Sequence, residues 1–256
     1  MKPYPTDVTD DQWERLSQYL PERRGRGRRL KWELRLLINA ILSVVTTGCQ
    51  WRMLPHEFPP WQTVYYHFRK WQKHETWFVM HQALHQDVRK QEGRDPEPTA
   101  ASIDSQSVKT TALATSRGFD GHKKIKGRKR HIVVDTLGLL LMVIVHDANL
   151  PDGKQAVEVL TNLFFWCFTI QLIWADGAYR GDLADWLWNT YQCGLEIAIT
   201  LRKQGFQVLP KRWIVERTFS WFGWYRRLNI DYERDAHTAE TMVYIAMIRV
   251  MLKRLK

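Results

Sequence analysis

Three carboxylates stand in sequence contexts that could do chemistry. Asp104 lies in Ser102-Ile103-Asp104-Ser105, Asp176 in Trp174-Ala175-Asp176-Gly177-Ala178-Tyr179, and Glu216 in Trp213-Ile214-Val215-Glu216-Arg217. Acids brought together without a compensating cation are costly, and a divalent metal pair is the natural candidate. Mg²⁺ takes hard oxygen ligands and keeps positions open for water and phosphate. Two such ions about 4 Å apart can activate a water or 3′-hydroxyl and stabilise the leaving oxygen of an in-line phosphoryl transfer. A single Asp at a strand end is more often a turn or cap residue; three at complementary positions point to chemistry.

The elements that must position them change character along the chain. Residues 1–90 read as a small all-α unit. Asp10 can cap a helix through Trp13, Leu16 and Leu20 that Pro21 stops. Leu36, Leu37, Ile38, Ile41, Leu42 and Val45 have helical spacing before Gly48, a third helix follows the Pro59-Pro60 pair, and a fourth spans Glu75 to Lys90. Such short helices are compatible with a helix-turn-helix variant, in which Gln62, Thr63, Tyr65, Tyr66 and Arg69 would lie in the major groove; an ordinary bundle fits the pattern equally well. Residues 91–100, with two prolines and no periodicity, read as a linker.

From 101 onward strands dominate. Ala101 to Asp104, His131 to Asp135, Leu139 to His146, Leu172 to Ala175 and Leu195 to Leu201 make five, with Gly138 turning between the second and third. Helices follow Asp152, run from Asp182 to Tyr191, open at Pro210 and reach about Tyr225, and span about Thr238 to Leu255. The order β-β-β-α-β-α-β-α describes a mixed five-stranded sheet flanked by helices, an α/β domain over residues 101–256. It puts Asp104 at the first strand, Asp176 just after the fourth and Glu216 on the helix after the fifth. On that helix Arg212, Glu216, Ser220, Gly223 and Arg227 would share one stripe.

The formal net charge is +11, which points to a polyanionic partner, nucleic acid before an anionic membrane surface. Arg117, Lys123, Lys124, Lys126, Arg128, Lys129 and Arg130 stand against Asp120 alone in the segment 117–130, which therefore carries six of the eleven charges. Lying between Asp104 and the next strand, with Gly118, Gly121 and Gly127 allowing close approach, it is expected to contact the DNA backbone as a basic loop. Three widely spaced cysteines, Cys49, Cys167 and Cys193, argue against a disulfide framework and for a reducing, cytoplasmic setting. No signal peptide or transmembrane run is expected.

Other chemistries fit less well. No Arg/His/Arg/Tyr set marks a tyrosine recombinase. His81-x3-His85 lacks the Glu of a metalloprotease motif, because Gln82 follows the first His, and both histidines are expected on a helix surface. The remaining alternative is a non-enzymatic, sequence-specific DNA-binding protein derived from an enzyme.

Four stretches carry a resemblance: Ile103 to Lys109 (IDSQSVK), Gly118 to His131 (GFDGHKKIKGRKRH), Ala175 to Gly181 (ADGAYRG) and Val215 to Trp221 (VERTFSW). The chain resembles the bacterial insertion-sequence DDE transposases of the insertion-sequence-five family, and Gly48 to Pro55 (GCQWRMLP) is similar to the helical region that precedes their catalytic domain. The resemblance implies a ribonuclease-H-like fold, two Mg²⁺ or Mn²⁺ ions, Asp104, Asp176 and Glu216 as both catalytic and metal-holding triad, and terminal inverted repeats with target DNA as substrate. It also implies a homodimer or higher oligomer on DNA. Lys109, Arg180, Arg212, Arg226 and Arg227 are further expected DNA contacts. Of the related Tyr-x2-Arg-x3-Glu-x6-Lys pattern, Arg212 and Glu216 match; Leu209 stands in place of the Tyr and Gly223 in place of the Lys.

Overall fold

The computed structural model describes residues 3–21, 31–198 and 213–255. Four helices come first: α1 (Asp10–Ser17), α2 (Leu34–Thr47), α3 (Trp61–Lys73) and α4 (Thr76–Gln91). The cap of α1 is Thr9 rather than Asp10, with Thr9 and Gln12 exchanging side-chain-to-backbone bonds as a capping box. Gly48 closes α2 at φ 72°, a left-handed conformation that suits glycine.

The sheet is built from β1 (Ala100–Lys109), β2 (Gly118–Asp120), β3 (Ile125–Asp135), β4 (Leu140–Asp147), β5 (Leu172–Ala175) and β6 (Gly194–Ile197), interleaved with α5 (Asp152–Trp166) and α6 (Leu183–Tyr191). Helices α7 (Trp213–Phe222), α8 (Arg226–Asn229) and α9 (Ala236–Leu252) complete the described chain. The strand order is β2-β3-β1-β5-β6, with β4 also paired to β3. β1, β5 and β6 run parallel and β3 is antiparallel to β1 and β4. The mixed sheet is the expected one, with a sixth strand: residues 118–120 pair with 125–127, so the basic segment is a hairpin rather than a loop.

One sheet face packs on α5 and α6, through Ala101, Ile103, Val133, Ile173, Ala175 and Leu160. The other joins Ile132, Val134 and Val143 to α7 and α9 and, without a break, to the buried residues of α1 to α4. The helices of residues 1–90 thus share a core with the sheet. Between them lies a buried ionic corner. Asp135, at the end of β3, accepts from His85 (3.2 Å) and Arg89 (2.6 Å) of α4 on one oxygen, and from the backbone N–H groups of Leu137 and Leu139 on the other. The same β3–β4 turn receives α7: Arg217 donates to the Leu137 carbonyl and Thr218 to that of Gly138. His85 and His81 are therefore interior residues, not surface ones as the sequence led us to expect, because α4 is covered by α9 and the sheet.

Burial by itself would raise the Asp135 pKa, but the bonds from His85, Arg89 and Leu139 hold it below the ordinary value. A carboxyl with a depressed folded pKa contributes stability above its unfolded pKa and loses it as pH falls through the folded one. Asp135→Asn should cost about 3–5 kcal/mol in urea unfolding at neutral pH, since it leaves Arg89 buried without its anion. Its melting temperature should also fall less steeply in acid than that of the parent chain.

Candidate active site

Strand register decides where the first two carboxylates go. β1 and β5 pair in parallel with Ala100 opposite Leu172 and Ser102 opposite Trp174. Two residues beyond this pair come Asp104, within β1, and Asp176, just past the end of β5. Side chains alternate across a sheet. Ile103 belongs to the α5/α6 core and Ser105 donates to Asp152 of α5, so Asp104 between them projects to the opposite face. Ile173 and Ala175 also belong to that core, which turns Trp174, the residue paired with Ser102, to the same side as Asp104, and Asp176 follows directly after the strand.

This is the face that α7 covers. Ile214, Val215 and Phe222 press into the core with Ile132 and Val134, and α7 packs on both β1 and β3. Glu216, in the first turn of α7, lies on its exposed side. Asp104 and Asp176 are half-buried. Asp104 accepts from the Ser105 N–H at 2.7 Å, and Asp176 caps the 3₁₀ turn Gly177–Tyr179 by accepting from Ala178 N–H at 2.8 Å. The oxygen donors suit a hard divalent cation. Among the described residues, no group of three His, Cys, Asp or Glu is assembled closely enough to hold a metal ion.

Behind the carboxylates runs a buried polar chain that the sequence did not single out. The Tyr179 hydroxyl is 2.8 Å from His131 Nε2, and His131 Nδ1 is 3.3 Å from His146 Nε2. Burial, then the neighbouring His146, pushes His131 down to about 3, so it is neutral at pH 7. Burial, followed by the charges of Asp104, Asp152 and Asp176, raises the Tyr179 phenol well above its usual value. Tyr179 is thus a neutral hydroxyl that senses both site carboxylates. Its position three residues beyond Asp176 was the available signal.

The basic residues divide. Lys123, Lys124 and Lys126 are exposed on the β2–β3 hairpin, and Lys123 donates to the Ser105 carbonyl at 3.2 Å, beside Asp104. Lys109, Arg180 and Arg226 are exposed as well. Arg128 is not a surface cation: it is fully buried, donating to Asp231 and to the carbonyls of Ser116, Glu233 and Arg234. Lys129 is buried in an ion pair with Asp152 (2.9 Å) and a bond to the Leu150 carbonyl. Asp152 is therefore a pairing residue, while Pro151 holds the N-cap position of α5. Arg130 is buried and donates to the Leu228 carbonyl at 2.6 Å. These corrections have one cause: β3 is an interior strand with partners on both edges, so its side chains meet packed layers on both faces. Arg227 is likewise interior, paired with Glu233 at 2.7 Å; α7 ends at Phe222, so Arg227 leaves the stripe expected to contain Glu216. Arg212 lies outside the described residues.

On α3, Gln62, Tyr66 and Arg69 are exposed and Thr63 half-buried. Arg69 is partly engaged, donating to Thr238 of α9 at 2.8 Å.

Two family models match the chain. Residues 8–81 match the family described as "Putative transposase of IS4/5 family", and residues 95–251 match the Transposase DDE domain family. A "Putative transposase for insertion sequence element IS402" from Burkholderia cepacia is 32% identical over 124 residues, covering 43% of this chain and 56% of that protein. The chain thus spans little more than half the length of that relative. No solved structure matches. The helical region followed by a mixed sheet with helices on both faces has the ribonuclease-H-like form of such domains. With the DDE match extending over residues 95–251, the chain belongs to the DDE transposase family of bacterial insertion sequences.

Proposed function

We propose that this chain is a DNA transposase that binds the terminal inverted repeats of an insertion sequence and carries out metal-dependent strand cleavage and strand transfer into target DNA. One observation supports the reading: Asp104 in β1 and Asp176 just past the end of the neighbouring parallel β5 each lie two residues beyond the paired Ser102 and Trp174, and the helix that bears Glu216 packs on β1. Asp104, Asp176 and Glu216 would hold two divalent ions, Mg²⁺ or Mn²⁺. When bound, such ions lower the pKa of an attacking water or 3′-hydroxyl and offset charge on the leaving oxygen.

The protein's own residues supply position. The Ser105 and Ala178 N–H groups each fix one oxygen, of Asp104 and Asp176 respectively, and so hold both carboxylates in place. The Tyr179–His131–His146 row is buried and packs Tyr179, three residues after Asp176, against the sheet. Lys123, whose ammonium reaches the Ser105 carbonyl beside Asp104, and the exposed Lys124 and Lys126 of the same hairpin are suited to substrate phosphates. The exposed face of α3, with Gln62, Tyr66 and Arg69, is the candidate for reading duplex sequence. Joining two ends calls for two copies on the DNA.

Asp104→Asn, Asp176→Asn and Glu216→Gln should each abolish nicking and joining of end-bearing DNA in Mg²⁺ while leaving DNA binding nearly intact. Full cleavage by any one of them removes that residue from the triad, and DNA binding with no cleavage by the parent chain would favour a purely binding protein. Replacing Lys123, Lys124 and Lys126 together by Gln should weaken DNA binding and flatten the slope of log affinity against log salt by about 0.9 per lost phosphate contact. An unchanged slope places the hairpin outside the interface.

A further inference from the structure

Two stretches of this basic chain carry no Asp, Glu, Lys or Arg: Thr76 to Gln86, most of α4, and Val159 to Ala175, from the middle of α5 through β5. With 25% of all residues charged, uncharged runs of this length are expected of buried segments. Here they come together at a surface. Phe165 of α5 and Phe168 just beyond it are 77% and 78% exposed, and Trp166 is half exposed. Phe165 lies 5.2 Å from Trp166 by ring centroids, and Trp166 lies 5.0 Å from Phe78 of α4, so the rings form one row across the two helices. Val79, next to Phe78, is exposed as well. Exposed aromatics gathered in this way mark an interaction site.

What covers the patch follows from charge. DNA is held through cations, and neither stretch offers one. At a net charge of +11, two copies of this chain repel one another on most approaches, and a face without cations is where that repulsion is least. An uncharged patch can also meet its own copy without setting like charges opposite each other, as a two-fold interface requires. Its size is in range. At roughly 150–250 Å² for each aromatic residue, the exposed parts of Phe165, Trp166, Phe168 and Val79 amount to roughly 500 Å², and the uncharged Gln82, Thr161 and Asn162 extend them toward the ~800 Å² per partner of a standard interface. Resting on the transposase reading, in which two copies join two DNA ends, we propose that the patch around Phe165, Trp166 and Phe168 is the contact between those copies and that it forms without DNA. α5 packs on the sheet face away from Asp104, so pairing leaves the carboxylates and Lys123 free for substrate.

Sedimentation equilibrium of the full chain, without DNA and in EDTA, tests this. The parent should be a dimer whose dissociation constant holds or falls as salt is raised, because no ion pair crosses the contact and charge repulsion is screened. A monomer, or a dimer that salt dissolves, overturns the proposal. Phe165→Glu with Phe168→Glu should raise the dissociation constant about a hundredfold or more while the circular dichroism spectrum stays that of the parent, since both side chains stand in solvent. Should that pair not fold, Phe168→Ser alone is measured in the same way. Trp224→Glu, at an exposed tryptophan beside Lys253 and Arg254, should leave the dimer unchanged. Dimers that survive the patch variants, or that are lost equally in Trp224→Glu, overturn the assignment. The two readings fail separately: a monomeric parent that still cleaves end-bearing DNA defeats the interface alone, whereas a dimer sensitive to the patch variants that binds no DNA upholds the interface and defeats the transposase reading.

Discussion

The buried carboxylate of Asp135 is the constraint on which the arrangement of this protein rests. It accepts from α4 through His85 and Arg89 and from its own turn through Leu137 and Leu139. An anion removed from water at this depth is tolerated only because each oxygen is satisfied. Its partners come from both parts of the sequence, so the N-terminal helices cannot shift against the sheet without leaving a charge unpaired. The turn it stabilises is also the seat of α7. Gly138 there has φ 78°, and a side chain at that position would meet Arg217 at 3.0 Å and Thr218 at 3.1 Å. The path from Asp135 to Glu216 is thus one turn and one helix, and the corner sets where the helix that bears Glu216 sits on the sheet.

A second constraint is the use of cations inside a basic protein. The net charge of +11 would lead one to paint positive residues on the surface, yet Arg89, Arg128, Lys129, Arg227 and Arg249 are all buried. Most are held by carboxylates or by rows of backbone carbonyls. Arg128 alone ties the basic hairpin to the 231–234 segment. Positive charge therefore serves two ends: buried, it locks irregular connections to the sheet, and exposed on the β2–β3 hairpin as Lys123, Lys124 and Lys126 it faces solvent, with Lys123 reaching the Ser105 carbonyl beside Asp104.

The strands were legible because their apolar runs are short, β-branched and bounded by turn residues, and the placing of Asp104 and Asp176 followed from them. The parallel pairing of β1 with β5 was not legible, since it joins segments about seventy residues apart in sequence. The direction of charged side chains was not legible either. In Ile125 to Asp135 the lysines and arginines alternate through a strand that is covered on both faces, and composition reads such a run as a solvated loop. His81 and His85 misled for a related reason: their helix is covered by α9, whose own pattern is apolar nearly all round and says nothing about what it covers. Tyr179 and His131 lie in stretches that carry the family resemblance, but only the fold shows that they touch.

The central claim is that this carboxylate site displaces the scissile phosphate directly, with a water or a DNA hydroxyl as nucleophile and no covalent bond to the protein. The stereochemistry at phosphorus tests it most directly, using a strand-transfer substrate with a single phosphorothioate of defined configuration at the target phosphate. One in-line displacement predicts a product of inverted configuration. Retention would require an even number of displacements, as through a protein–DNA intermediate, and would contradict the account.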